Sequence, residues 1–209
     1  MIILHSESEY TIVCKSPGEE CEHELPERIV AELGGESYCV HRLDRAVGGI
    51  MVYARTKSTA AALGEQMQNG SFEKEYLAAV SGTPSEESGE FVDFLFKDSL
   101  KGRAFVVKTK RSGVKEARLS YRVLGTADYS ERGAALVRVK LHTGRFHQIR
   151  CQFAARQMPL LGDGKYGSRE KGCSVALFSC RIAFSHPKTH ERVEYTAAPD
   201  RVFPWDLFE

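Results

Sequence analysis

The sequence has no hydrophobic run long enough to cross a membrane. Of its 209 residues 42% are hydrophobic, but no stretch reaches the roughly 18 consecutive apolar residues that indicate a membrane-spanning helix. The apolar N-terminal segment Met1-Ile2-Ile3-Leu4 is too short for the core of an export signal. We therefore expect a cytoplasmic protein with no membrane partner.

Paired cysteine spacing is also missing. The six cysteines form no Cys-x-x-Cys pair and no repeated interval, so neither a zinc ribbon nor a disulfide framework is predicted. Cys21-x-His23 and Cys39-x-His41 resemble half of a metal site, but no second pair stands at ligand spacing. We interpret all six as free thiols, at Cys14, Cys21, Cys39, Cys151, Cys173 and Cys180.

The chain has little excess charge of either sign. Its formal net charge is +1, which excludes the bulk basic character of many nucleic-acid-binding proteins. The distribution is uneven, because residues 1–36 hold nine Glu against Lys15 and Arg28, which gives 2 − 9 = −7 and leaves 1 + 7 = +8 for the rest. A basic remainder of this kind could follow a phosphate backbone.

The densest basic segment lies between Lys97 and Arg118. Two acidic residues, Asp98 and Glu116, stand against eight basic ones in this segment. The basic residues are Lys97, Lys101, Arg103, Lys108, Lys110, Arg111, Lys115 and Arg118. Two interpretations stay open: the solvated face of a hairpin, or a phosphate-contacting surface.

No long Ser/Pro/Gly linker divides the chain, so one domain is the simplest prediction. A regular parallel βαβ series is not apparent. Residues 117–123 alternate between apolar and polar side chains, as in a half-buried strand. Helical spacing is present in Leu25–Leu33, in Thr59–Met67 after the capping residues 56–58, and in Phe146–Gln157. These patterns predict an α+β fold with a mostly antiparallel mixed sheet, flanked by helices and loops.

One short run sets a carboxylate between two guanidinium groups. Asp44 stands between Arg42 and Arg45, and Gly48-Gly49 and the apolar segment Ile50–Ala54 follow. One interpretation is a solvated salt bridge, which contributes little to stability. The other is a reacting carboxylate, because a loop that enters a core strand is held by a rigid scaffold.

Four further segments stand at informative distances from the Asp44 run: Lys74–Ala78, Thr143–Arg150, Gly162–Gly167 and Ala183–Pro187. Together with His41–Arg45 and Gly49, they resemble in order and spacing the RluA-type family of RNA pseudouridine synthases. The turn Lys15–Gly18 is similar to the Lys-Pro-x-Gly of that family. Two positions depart from the pattern: Val47-Gly48 stand where the family usually has Thr-Ser, and Gln152 stands where it usually has His.

The resemblance implies a pseudouridine synthase fold and an isomerase that converts specific uridines of ribosomal or transfer RNA to pseudouridine. Asp44 would then be the catalytic carboxylate, Tyr76 would pack against the target base, and Arg150 would pair with Asp44. Arg42 would fill the space that the flipped base leaves. Three further residues are predicted to bind substrate: Arg145, His147 and Leu177.

The same resemblance bears on domains and partners. It implies that residues 1–209 form a single catalytic domain with no appended RNA-binding domain. Structured ribosomal or transfer RNA is the expected partner, DNA is not, and a monomer is expected. No cofactor and no metal ion are required by the reaction.

Two other functions stay open on the sequence. The first is an RNA-binding module of the same fold without turnover, which the Val47-Gly48 departure beside the carboxylate motivates. The second is a hydrolase that uses Asp44 with His41 or His147, although no Ser or Cys stands in a nucleophile-elbow setting.

Overall fold

The computed structural model describes residues 1–208. These residues form eleven strands and three α-helices, and they divide into two compact units. Unit 1 consists of Met1–Glu75 and Phe178–Pro199, and unit 2 consists of Tyr76–Leu177 and the residues from Asp200 onward. The prediction of a single catalytic domain stays a prediction.

Unit 1 combines two helices with a set of paired strands. Its complete elements are β1 (Ile2–Ser6), β2 (Tyr10–Lys15), α1 (Glu24–Leu33), β3 (Tyr38–Cys39), β4 (Gly48–Ala54), α2 (Lys57–Asn69) and β11 (Arg192–Thr196). The chain passes between the units within β5 (Glu73–Ser81) and within β10 (Leu177–Ser185). Strand β4 pairs antiparallel with β2 and β3 but parallel with β10, so the pairing is mixed.

The core of unit 1 is built around β4. All seven of its residues are buried, as expected for a continuous apolar run that is covered on both faces. Leu63 of α2 and Phe72 pack against Ile50 and Val52 of this strand. Helix α2 begins where the sequence predicts, because the side chain of Thr56 accepts the backbone N–H of Thr59 at 3.1 Å.

Unit 2 holds an antiparallel array and one helix. Its elements are β6 (Ser88–Asp98), β7 (Arg103–Val107), β8 (Val114–Ala127), β9 (Ala134–Leu141) and α3 (Gln148–Ala155). The strands are ordered β9-β8-β6-β7, and each neighbouring pair is antiparallel. Ala117, Leu119 and Tyr121 of β8 are buried while Arg118 and Arg122 are exposed, which confirms the predicted alternation.

The α+β prediction with a mixed, mostly antiparallel strand arrangement is confirmed. The predicted helix over Phe146–Gln157 is shorter in the structure, where it spans Gln148–Ala155. It begins late because His147 has φ 51°, a left-handed conformation that an α-helix does not continue through. Strand β7 was not predicted, because its residues lie inside the basic run. No helix in residues 1–208 is long and apolar enough to cross a bilayer.

Candidate active site

A buried lysine anchors the loop that carries Asp44 in unit 1. The Lys15 side chain is at the end of β2 and is 1% exposed. Its Nζ donates to the carbonyls of Val47 at 2.6 Å, Arg45 at 3.1 Å and Asp44 at 3.4 Å. Burial lowers the pKa of Lys15, and the negative charge of Asp44 is among those that oppose this shift. The ammonium group therefore holds three carbonyl groups of the loop backbone at one point.

Two thiols contact the same loop. Sγ of Cys39 donates to the carbonyl of His41 at 3.0 Å, and Sγ of Cys21 donates to the carbonyl of Leu43 at 3.4 Å. The two thiols also interact with each other, which lowers the pKa of Cys21 and raises that of Cys39. The loop backbone before Asp44 is thus fixed by hydrogen bonds as well.

The two arginines beside Asp44 have partners elsewhere in unit 1. Nη1 of Arg42 lies 2.9 Å from Oε2 of Glu22 in an exposed ion pair. Nε of Arg45 donates to the carbonyl of Gly18 at 2.7 Å. These contacts give no support to the interpretation of the run as a local salt bridge around Asp44.

His41 is held as a neutral backbone acceptor. Its Nε2 accepts the N–H of Val52 in β4 at 3.2 Å, so the proton of the neutral ring belongs on Nδ1. Burial, with a smaller contribution from the charge of Lys74, lowers its pKa to about 3. A ring whose basic nitrogen is used by the backbone cannot take a proton from a substrate, and this argues against a hydrolase that uses His41.

The loop enters β4 at a point where two backbones nearly touch. Gly49 has φ +118°, and a Cβ there would lie 2.4 Å from both N and O of Ser179 in β10. A Cβ at position 48 would lie 3.2 Å from the Lys15 carbonyl oxygen. Space at position 48 is therefore tighter than for most side chains.

We expect Gly49→Ala to destabilise the protein by about 2 kcal/mol or more, because the left-handed conformation alone costs about 1–3 kcal/mol and the new Cβ must push β10 away. Gly64→Ala is the matched control: it lies within α2, and its added Cβ would meet nothing within 4 Å. The control should stabilise the protein by about 0.5–1 kcal/mol. Urea denaturation of both variants measures the difference, and equal stabilities would contradict the close approach at Gly49.

In unit 2, the predicted Arg150 makes a buried, two-point ion pair. Its Nε and Nη2 lie 2.7 Å and 2.8 Å from Oδ2 and Oδ1 of Asp163, and the two side chains are 6% and 1% exposed. Asp163 belongs to the segment Gly162–Gly167 but is not among the predicted site residues. Asp163 is the one carboxylate of that segment, and this is the feature of the sequence that could have marked it as the partner of a buried cation. The pairing of Arg150 with Asp44 stays a prediction.

Tyr166 organises the residues around Arg150. Its ring lies 5.1 Å from the Arg150 guanidinium, and its hydroxyl accepts the N–H of Ala104 at 2.8 Å. The same hydroxyl lies 3.0 Å from Nδ1 of His147. Unit 2 thus brings Arg150 and His147, two of the predicted site residues, to one aromatic side chain.

The remaining predicted residues of unit 2 differ in exposure. Tyr76 in β5 and Leu177 at the start of β10 are each 6% exposed. Tyr76 is therefore more buried than a half-buried strand tyrosine with a solvated hydroxyl would be. Arg145 is exposed, and its Nε donates to the carbonyl of Glu116 at 2.8 Å.

Gln152, the second departure from the family pattern, has a structural role in unit 2. It is fully buried, and its Nε2 lies 2.6 Å from Oδ2 of Asp93 in β6. Arg156 binds the same carboxylate through Nη1 at 2.9 Å. A neutral amide donor is compatible with this buried network, so the departure concerns the support of α3 rather than a reacting group.

The chain is similar in sequence to known proteins. A sequence model of the family described as RNA pseudouridylate synthase matches residues 5–155. The chain is 29% identical over 199 residues to a tRNA pseudouridine synthase C of Pasteurella multocida, covering 84% of this chain and 81% of that protein. It is 29% identical over 168 residues to a ribosomal large subunit pseudouridine synthase D of Zymomonas mobilis, covering 76% of this chain and 51%, or about half, of that protein.

A solved structure shares the fold. Human RNA pseudouridylate synthase domain containing 1 superposes with a TM-score of 0.83 at 23% identity, and the match covers 97% of this chain and 84% of that chain. The predicted pseudouridine synthase fold is confirmed.

Proposed function

This chain belongs to the RNA pseudouridylate synthase family, whose members are isomerases that act on RNA, and we propose that it converts specific uridines of ribosomal or transfer RNA to pseudouridine with Asp44 as the catalytic carboxylate. The observation that carries the proposal is the family match over residues 5–155, which includes Asp44, Tyr76 and Arg150. The sequence resemblance assigns the three roles, and the local geometry of each unit supports them.

The reaction breaks the bond from ribose C1′ to N1 of uracil and makes a bond from C1′ to C5. A uridine in structured RNA must first leave its stack, which costs a few kcal/mol. In the proposal, Arg42 occupies the vacated space, and its exposed position in the loop suits that role. Tyr76 packs against the flipped uracil, and stacking on an aromatic ring contributes roughly 1–3 kcal/mol per base.

Asp44 then acts near the anomeric carbon, where a carboxylate stabilises positive charge or forms a bond, as in glycosidases. Catalysis requires that such a group be held by its surroundings before the substrate binds. The hydrogen bonds from Lys15, Cys21 and Cys39 to the loop backbone meet this requirement. We propose, as the family resemblance implies, that Arg150 is the cation that pairs with Asp44.

The substrate class follows from the names of the relatives. One is a transfer RNA enzyme and another a ribosomal RNA enzyme, so both RNA classes are candidates. Mapping of pseudouridines in RNA from a strain that lacks the gene identifies the target, because the target position then remains an unmodified uridine. If the strain retains every pseudouridine in both RNA classes, the result contradicts the proposal. A cytoplasmic location and a monomeric state stay predictions.

Release of tritium from RNA that carries 5-tritiated uridine tests the activity directly, since C5 loses its hydrogen when the new bond forms. Tritium release by the purified protein is expected. RNA binding without release would favour the inactive RNA-binding module instead. Hydrolysis of the RNA or of an ester substrate without release would favour the hydrolase.

Replacing Lys108, Lys110 and Arg111 together by Ala should weaken RNA binding without altering the chemical step, because the three exposed side chains would contact phosphates. Each lost contact should flatten the plot of log affinity against log salt by about 0.7–0.9. The control replaces Lys57, Lys171 and Lys188, which are also exposed, and thus changes the net charge equally. Identical salt slopes for the two triple variants would show that residues 108–111 do not contact RNA.

A further inference from the structure

The hairpin of β6 and β7 presents an aromatic face that α3 does not cover. Side chains alternate between the two faces of a strand, and Leu95 and Ala104 point into the core with Cys151 of α3. The neighbouring positions therefore point the other way. They are Val92, Phe94 and Phe96 on β6, and Phe105 and Val107 on β7.

The strand register brings two of these rings side by side. Phe96 pairs directly with Phe105, and Phe94 pairs with Val107, so the side chains of each pair start about 5 Å apart on the same face. All three phenylalanines are only partly buried, and Val92 is 53% exposed. Contiguous apolar surface that stays exposed to water usually marks a binding site. We call the residues Val92, Phe94, Phe96, Phe105 and Val107 the hairpin face.

Cations lie over the rings of the hairpin face. Lys101 lies 5.8 Å from the centre of the Phe105 ring, and Arg111 lies 5.4 Å from the centre of the Phe96 ring. Arg103 lies between two rings, 5.3 Å from the centre of Phe105 and 4.7 Å from the centre of Tyr166. Nε of Arg103 is buried and has no hydrogen-bond partner within residues 1–208. The acidic groups nearby are Asp98, Glu116 and Glu90, and Glu90 is paired with Arg118.

This combination of aromatic and cationic groups narrows the class of partner. An apolar protein surface would have to desolvate three cations on or beside the rings, which is costly without counter-charges. Single-stranded RNA supplies a flat base for each ring and a phosphate for each cation. Exposed aromatic side chains on a sheet, bordered by Arg and Lys, are the way in which several RNA-binding folds hold unpaired bases.

We propose that Phe96 and Phe105 form a stacking platform for unpaired nucleobases of the RNA substrate, with Lys101, Arg103 and Arg111 binding the adjoining phosphates. The platform rests on the proposed function, because it supplies a second RNA contact for an enzyme that acts on RNA. It is a binding surface and takes no part in the chemical step. The platform also gives β7 a function. That strand lies within the basic segment from Lys97 to Arg118, where composition indicates only a charged surface.

The test measures binding of a short single-stranded oligoribonucleotide that carries 2-aminopurine, whose fluorescence falls when the base stacks. The parent protein should quench it, and Phe96→Ala with Phe105→Ala should abolish the quenching and weaken binding by about 5- to 150-fold per lost stack. Phe105→Trp should keep both properties. Phe105→Leu preserves an apolar side chain in the strand pair, and it should still lose part of the quenching, because only Phe96 then remains to stack.

Leu124→Ala is the matched control, because Leu124 is an exposed apolar residue of β8 outside the hairpin face, and it should bind and quench like the parent. Unchanged quenching in the double Ala variant or in Phe105→Leu overturns the platform. A second outcome also overturns the platform: the parent sediments as a dimer, while the double Ala variant sediments as a monomer and binds RNA with unchanged affinity. The hairpin face would then bind a second copy of the chain.

Failure of the platform and failure of the proposed function give different results. If the platform is wrong, the alanine variants bind the oligoribonucleotide like the parent, while the parent still releases tritium from its RNA. If the proposed function is wrong, the parent releases no tritium from any RNA, whatever the oligoribonucleotide assay reports.

Discussion

The Asp44→Asn variant is expected to release no tritium from RNA that carries 5-tritiated uridine, although it folds and binds RNA like the parent. The amide has the shape of the carboxylate but cannot act as a nucleophile or as a base, so the loss should be on the order of 10³-fold or more in rate. The loop should keep its conformation, because Lys15, Cys21 and Cys39 hold its backbone carbonyls rather than the Asp44 side chain.

A matched variant separates the role of this carboxylate from a general loss of negative charge. Asp128→Asn makes the same chemical change at an exposed position between β8 and β9, and it should release tritium at the parental rate. Melting temperatures and RNA affinities of both variants complete the comparison. Tritium release by Asp44→Asn at the rate of the Asp128 control would remove Asp44 from the catalytic role.

Arg150→Ala should destabilise the protein by about 3–5 kcal/mol, because it leaves the carboxylate of Asp163 buried without a counter-charge. The pair is bidentate and almost inaccessible to water, so solvent cannot replace the guanidinium. Activity should fall as well, since Arg150 is the proposed cation for Asp44. Arg150→Lys should recover part of the stability, because it restores the charge without the two-point geometry.

Denaturation of a double-mutant cycle measures the pair. Removing both Arg150 and Asp163 should cost less than the sum of the single replacements, because neither charge is then stranded. Arg28→Ala is the surface control: Arg28 is 43% exposed and pairs with Glu19 and Glu24, and its loss should cost about 0–1 kcal/mol. Additive single effects at Arg150 and Asp163 would show that the two side chains do not stabilise each other.

Residual stability also distinguishes two explanations for a loss of activity in Arg150→Ala. If the variant is inactive only because it unfolds, lowering the temperature should restore tritium release. If Arg150 acts on Asp44, the rate should stay low at temperatures where the variant is fully folded. Circular dichroism at the assay temperature establishes which condition applies.

The sequence by itself determined the family, the α+β class, the Asp44 run and the presence of all three helices. These features depend on signals that act over short distances along the chain, such as the Thr56 cap of α2 and the alternation in β8. The ends of α3 were predicted less well, because the left-handed conformation of His147 interrupts a pattern that is apolar enough to continue the helix.

Only the tertiary structure decided which side chains become partners. Lys15 meets the carbonyls of Asp44, Arg45 and Val47 across 29 to 32 positions of the chain, and Arg150 meets Asp163 across 13 positions. The need for glycine at position 49 comes from the backbone of Ser179, and the pairing of Phe96 with Phe105 comes from a strand hidden in a charge run. Residue type and spacing carry no information about such contacts, because they exist only once distant segments have packed against one another.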